Sequence, residues 1–207
     1  KLDGLWCAGE LGLDGSLRPC RGVIALADLA RQQGARALIV PPANAPEAAL
    51  IPNLTIWTAS NLKQLVQQLK GECPIVRIEH NPSPQPATPA AMTLDHLGLG
   101  IEGMDRAAHA LALAAAGGHH LLMVGPPGCG KTHLARQLPL LLPPLTTPES
   151  LTITRIHSVA GEFDASEPLL HQRPFRSAHH SCSGAALLGG GHTPKPGEIS
   201  LAHGGVL

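Results

Sequence analysis

Aromatic rings are scarce in this sequence. There is no Tyr, and Trp6, Trp57, Phe163 and Phe175 are the only four rings in 207 residues. Proteins that hold single-stranded nucleic acid commonly stack bases on such rings. A long stacking platform is therefore excluded, and any nucleic-acid contact must use backbone amides and a few Arg or Lys. Net charge is lacking as well: fifteen Lys and Arg balance fifteen Asp and Glu, which excludes a histone-like or tail-like polyelectrolyte. No apolar run reaches the roughly 18 residues of a membrane span. The longest candidate, 107–116, is shorter and contains His109, so no membrane partner is expected. Cys7, Cys20, Cys73, Cys129 and Cys182 are odd in number, widely spaced and free of any C-x-x-C. That pattern fits neither a disulfide framework nor a zinc ribbon, and it points to a reducing, cytoplasmic location. The chain opens Lys1-Leu2-Asp3 without Met, basic n-region or apolar h-region, so no signal peptide is read. It closes on the apolar pair Val206-Leu207. Both ends read as cuts, and a fragment of a longer protein is expected.

What is present is an aliphatic core and abundant chain breakers. Hydrophobic residues make 43% of the chain, and 23 Gly with 20 Pro form about a fifth of it. Residues 1–72 alternate strand-like and helix-like patterns, which gives an α/β class. Strands are expected at 5–8, 37–40 and 54–57, and a D-G turn at Asp14-Gly15. Helices are expected from Val23 to Gln33, stopped by Gly34, over a short stretch capped by Asn44, and after a Ser60 cap as far as Gly71. Residues 73–93 carry Pro74, Pro82, Pro84, Pro86 and Pro89 among small polar residues and read as a semi-rigid linker. Residues 94–207 restart with a helix over 102–116, a buried strand over 120–124, a glycine-rich loop and a helix to Leu142. A further helix, with Thr147 as N-cap, runs to His157. Two strands, 185–188 and 198–202, are expected around a Gly/Pro tip.

The chemistry-bearing motif is Gly125-Pro126-Pro127-Gly128-Cys129-Gly130-Lys131-Thr132, which fits G-x-x-x-x-G-K-[ST]. Glycines allow successive backbone N–H groups to turn inward at a helix N-terminus, forming an anion cradle. Lys131 reaches the β- and γ-phosphates, Thr132 offers a hydroxyl to Mg²⁺, and His133 continues the cradle. The apolar strand before the loop and the helix after it are the context the motif requires. ATP with Mg²⁺ is the implied ligand. Cys129 occupies a position that demands no particular side chain, so it is read as a tolerated small residue. His179, His180, Cys182 and His192 match no zinc spacing, and structural or polar roles are expected of them. The segment 173–203 carries Arg173, Arg176 and Lys195 against Glu198 alone. It is either a solvated loop or a substrate-contacting loop with Lys195 near its tip.

Four runs together carry a likeness: the loop just described; Thr154-Arg155-Ile156-His157-Ser158-Val159-Ala160-Gly161; Arg173-Pro174-Phe175-Arg176-Ser177-Ala178-His179-His180; and Leu188-Gly189-Gly190-Gly191 through Pro196-Gly197-Glu198-Ile199-Ser200-Leu201-Ala202-His203. In this order they resemble the magnesium-chelatase-like AAA+ ATPases of the ComM/YifB group. Residues 1–72 resemble the N-terminal domain of that group, with its Lon-protease-like (ribosomal S5 domain 2-like) fold, through Glu10-Leu11-Gly12-Leu13-Asp14-Gly15, Arg18-Pro19 and Val40-Pro41-Pro42-Ala43-Asn44. The resemblance implies a partial Lon-like domain at 1–72, the linker at 73–93, and an incomplete P-loop αβα AAA+ domain at 94–207. It further implies a homo-hexameric ATPase that acts on branched DNA in natural transformation, with an insertion hairpin facing the pore. Arg176 and Lys195 are then the candidate DNA contacts.

Departures from the family pattern narrow this reading. The stretch Arg21-Gly22-Val23-Ile24-Ala25-Leu26 holds no Lys where proteolytic relatives of the first domain carry one, which disfavours a peptidase. Ala178 replaces a Pro common in the family. The segment 204–207 resembles the start of the strand that would carry the acidic Walker B residues, and those acids, the sensors and the arginine finger are not in the sequence. Three alternatives stand beside the motor: a truncated nucleotide-binding module without turnover, the ATPase subunit of a chelatase, and the disfavoured Lon-like peptidase.

Overall fold

A computed structural model of the chain describes residues 3–79, 105–164, 168–192 and 194–207. The chain divides into two compact units, one comprising Lys1–Pro84 with Leu151–Leu170 and the other Gln85–Ser150 with His171–Leu207. This division differs from one drawn on the sequence alone in two places. A strand occupies Val76–Ile78, inside the stretch read as a linker, and 151–170 belong to the first unit. The Pro-rich part from 80 to 93 lies outside the described residues, as does the start of the helix expected from residue 102.

The first unit is an α/β sheet. Its strands are β1 (Leu5–Cys7), β4 (Ala37–Val40), β5 (Ile56–Thr58) and β6 (Val76–Ile78), in the order β1-β4-β5-β6. The first three run parallel and β6 is antiparallel, with Leu38 opposite Ile56 and Ile56 opposite Ile78. A separate hairpin pairs β2 (Glu10–Leu11) with β3 (Leu17–Arg18) across the expected Asp14-Gly15 turn. All four residues of β4 are buried, as a continuous apolar run covered on both faces should be. Leu38 and Val40 join Val23, Ile24, Ala27 and Ala30 of α1 (Val23–Gln32) and Ala45 and Ala48 of α2 (Ala45–Ala48). On the opposite face, Ala37 and Ile39 meet Trp57 together with Leu65 of α3 (Leu62–Lys70).

Three caps differ from expectation, each because a nearer partner is available. Asn44 caps no helix, for its side chain clamps Cys20, accepting from its N–H at 3.1 Å and donating to its C=O at 3.0 Å. Asn61 rather than Ser60 caps α3, accepting from the Gln64 N–H at 2.8 Å. Thr146 rather than Thr147 starts α6 (Thr147–Ala160), in a reciprocal pair where the Thr146 N–H donates to Glu149 Oε2 at 2.8 Å. The strand expected at 54–57 is displaced to Ile56–Thr58, where its backbone meets β4.

Helix α1 begins at Gly22 without a side-chain cap of its own and without an acid in its first turn. Its orphan amides find a partner across the sequence: the Ile24 N–H donates to Glu47 Oε1 at 2.9 Å. Glu47 is 2% exposed and also accepts from the Ser158 hydroxyl, which in turn accepts from the Gly22 N–H at 3.0 Å. One buried carboxylate thus ties α1, α2 and the C-terminal part of α6 together. Arg155 reinforces the same face through Asp28, at 3.3 Å.

In the second unit, α4 (Asp105–Gly117) and α5 (Lys131–Leu141) pack through Leu111 and Leu134, with Leu121, Met123, Leu138 and Leu141 around them. The expected strand over 120–124 has no ladder partner among the described residues. Its alternation survives: Leu121 and Met123 turn towards the helices, while Leu122 and Val124 are 87% and 88% exposed. An apolar alternating run specifies an extended chain, but a strand also needs a neighbour. The two strands expected at 185–188 and 198–202 are instead helical, as α7 (Gly184–Leu188) and α8 (Glu198–Leu201). Ala-Ala-Leu-Leu is free of β-branched residues, and Ser183 caps it by accepting from the Ala186 N–H at 3.1 Å. The hairpin between them is shorter, pairing β7 (Gly189–Gly190) with β8 (Lys195–Pro196).

The Glu47 junction yields a direct expectation. Glu47→Ala leaves the Ile24 N–H and the Ser158 hydroxyl buried without their acceptor, and should lower stability by about 2–4 kcal/mol. The check is the urea midpoint by circular dichroism. Ser158→Ala should cost roughly 1–2 kcal/mol, because Glu47 keeps its other donors.

Candidate functional site: the phosphate-binding loop

The motif Gly125 to Thr132 forms an exposed loop that ends in α5. Gly130 is the N-cap residue with φ +86°, a left-handed backbone that any side chain would strain, and it offers no capping atom. The first amides of α5 have no intrahelical acceptor, so they face the loop as donors. Lys131 bends back into the loop. Its ammonium donates to Gly125 O at 2.8 Å and Pro126 O at 2.6 Å, with Cys129 Sγ at 3.4 Å. Thr132 and His133 are exposed on the first turn of the helix, and Leu134 behind them is buried. The loop therefore presents a cation, a helix N-terminus and a hydroxyl within four residues. Those donors fit a polyphosphate. One hydroxyl is too few ligands for Mg²⁺, and the described residues hold no cluster of three or more His, Cys, Asp or Glu suited to a metal. A magnesium ion there would depend on phosphate oxygens for most of its shell.

The segment 173–206 has a second arrangement that sequence spacing did not show. Arg173 donates to Pro143 O and to Gly204 O, both at 2.6 Å, and lies 3.7 Å from Glu149. Phe175 forms a parallel bridge with Val206, with the Arg176 N–H to Val206 O at 2.9 Å and the Val206 N–H to Pro174 O at 2.8 Å. One arginine thus joins the end of α5, the start of α6 and the chain's last turn. The only sequence signal for this was an excess of Arg over acid. Arg176 makes a bidentate pair with Glu198, at 2.7 and 2.9 Å. Its guanidinium is held by Glu198 within the unit. Lys195, by contrast, is exposed on β8. The hairpin is drawn tight at Gly197, where a Cβ would lie 2.3 Å from Gly189 N. His179 and His180 are exposed, their rings 4.1 Å apart and tilted by 37°, and His179 Nδ1 is 2.6 Å from Ser181 Oγ.

Comparison with known proteins gives two family matches. The family described as magnesium chelatase, subunit ChlI, matches residues 99–207, and a second description, subunit ChlI of Mg-chelatase, matches residues 1–44. The chain belongs to the magnesium chelatase ChlI family, in its ComM/YifB group. An uncharacterized protein of Mycobacterium tuberculosis is 41% identical over all of this chain and 40% of its own length. YifB of Escherichia coli is 40% identical over all of the chain and 39% of its own length. The competence protein ComM of Haemophilus influenzae is 43% identical over 96% of the chain and 38% of its own length. The chain thus spans about two fifths of the length of these curated relatives. No helix among the described residues is long and apolar enough to cross a membrane.

The Arg176–Glu198 pair has a pH signature. Hydrogen bonding from Arg176 holds the Glu198 carboxyl below its usual range. A depressed folded pKa means the pair's contribution is complete above the unfolded value of about 4.3 and is lost as pH falls through the lower folded value. Carbon-detected NMR titration should find Glu198 low in the native chain, and Arg176→Ala should return it to the ordinary carboxylate range.

Proposed function

We propose that the chain is the nucleotide-binding portion of a magnesium-chelatase-like AAA+ ATPase that works as a DNA motor. The observation that carries this is the loop at 125–132, where Lys131 lies against the loop carbonyls beside the uncapped start of α5. In this reading the amides at the start of α5 bind phosphate oxygens. Lys131 leaves Gly125 O and Pro126 O for the β- and γ-phosphates, and Thr132 orients the metal side of the nucleotide. Bound magnesium would neutralise charge developing on the transferred phosphoryl group. The segment 1–72 serves as the Lon-like domain of the motor, and the five free thiols accord with a cytoplasmic setting.

DNA is the second partner. Relatives in the group include a competence protein, and the exposed Lys195 on the β7–β8 hairpin is available for a phosphate. In a homo-hexamer, six such hairpins would line one opening. The sequence's poverty in rings directs this contact to the backbone rather than to bases. A nucleotide-binding module without turnover is the second reading, since the donors of the loop at 125–132 would hold a nucleotide whether or not hydrolysis follows.

Two measurements test these claims. Lys131→Ala should weaken binding of a fluorescent ATP analogue at least about tenfold with the fold unchanged, while Thr132→Ala should chiefly remove the dependence on Mg²⁺. Unaltered affinity in Lys131→Ala would refute the nucleotide site. Lys195→Ala should reduce DNA affinity and lower the salt slope by about one. A steady ATP turnover by the 207-residue chain that vanishes in Lys131→Ala would decide for the motor over the module.

A further inference from the structure

Two exposed surfaces of opposite character lie side by side on the first unit. Leu13, at the tip of the β2–β3 hairpin, is fully exposed, and Leu11 on β2 is 59% exposed. The tip is held firmly: the Gly15 N–H donates to Gly12 O at 2.9 Å, and Asp14 Oδ1 accepts from the Ser16 N–H and hydroxyl at 3.1 and 2.6 Å. It is also anchored to the start of α3, since the Leu62 N–H donates to Gly15 O and the Leu17 N–H to Ser60 O, both at 2.9 Å. A rigid tip loses little conformational freedom on docking.

Helix α3 displays Leu62, Val66 and Leu69 at i, i+4 and i+7, each about 40% exposed, while Leu65 and Gln68 take the inward face. Beside that stripe runs an open groove of about 560 Å³, lined by Gly15 and by Leu62, Lys63, Val66 and Lys70. The helix carries Lys63 and Lys70 and no acid; the hairpin carries Glu10 and Asp14 beside Arg18. Lys70 lies 3.8 Å from Glu72, which leaves Lys63 as the main uncompensated cation of the groove. Pairing α3 with another α3 would set like charges together, whereas hairpin against groove sets Leu on apolar surface and Asp against Lys.

We propose that this face pairs with a second copy of the chain, with Leu13 of each copy in the α3 groove of the other and Asp14 opposite Lys63. The adjacency of knob and groove permits a two-fold arrangement. Rotation by half a turn brings each knob over the other's groove, so both contacts form together and the interface closes on itself. The pairing is independent of the nucleotide reading.

Sedimentation velocity on the 207-residue chain, from about 5 to about 200 µM at low salt, tests it. A dimer should accumulate with concentration, and Leu13→Asp, at a site with no packing to lose, should weaken it roughly tenfold or more. Asp14→Lys and Lys63→Glu should each weaken it, and the two together should restore it, while Lys131→Ala should leave it unchanged. A chain that stays monomeric throughout overturns the proposal, and assigns the face to a different polypeptide. Self-association indifferent to Leu13→Asp, or a charge exchange that restores nothing while circular dichroism shows native folding, overturns it too.

Discussion

The first amides of a helix must find acceptors, and that requirement organises both units. Its four longer helices with described starts meet it in different ways. Asn61 serves α3 and Thr146 serves α6, each from the adjoining sequence. Helix α1 recruits a carboxylate from another element, Glu47, and the recruitment draws α2 and Ser158 into one buried junction. Helix α5 alone of these has neither, starting at a glycine with a left-handed backbone and a lysine folded beside it. The internal acid makes one helix start part of the core. The missing acid leaves the other start with donors that no side chain caps.

The second unit depends on a related economy of charged groups. Arg173 and Arg176 sit three residues apart, and both are spent internally, one on carbonyls and one on Glu198. Guanidinium groups suit this because their planar fork can satisfy several oxygens at once. A lysine at either position would keep the charge and lose the geometry. Lys195 has the opposite disposition, a single mobile charge held out on a two-residue strand.

Much of this was legible in the residues, and the limits are instructive. The buried strand at 37–40, the α1 stripe and the Gly34 and Gly71 stops all followed from local pattern, because periodicity and glycine placement act over a few residues. The α7 segment, four apolar residues between glycines, and the α8 segment, an alternating Glu-Ile-Ser-Leu-Ala, each satisfy a strand template as well as a short helix. Caps slipped by one residue wherever two candidates stood together, as at Ser60-Asn61 and Thr146-Thr147. Glu47 with Ser158 is not legible in the sequence: 111 residues separate them, and no local spacing links the two. Arg173's three partners were hidden for the same reason.

The extended run before the loop has a further energetic consequence. Leu121 and Met123 are already covered, but Leu122 and Val124 hold back apolar surface of about 1.5–3 kcal/mol per side chain when fully buried. That run leads directly into Gly125, the residue whose carbonyl receives Lys131. Whatever layer comes to cover those two side chains would also stiffen the backbone from which the loop springs. Covering and phosphate binding would then favour one another by equal amounts, in both directions. Under the proposed nucleotide reading, phosphate affinity would then depend on how completely the extended run 121–124 is enclosed.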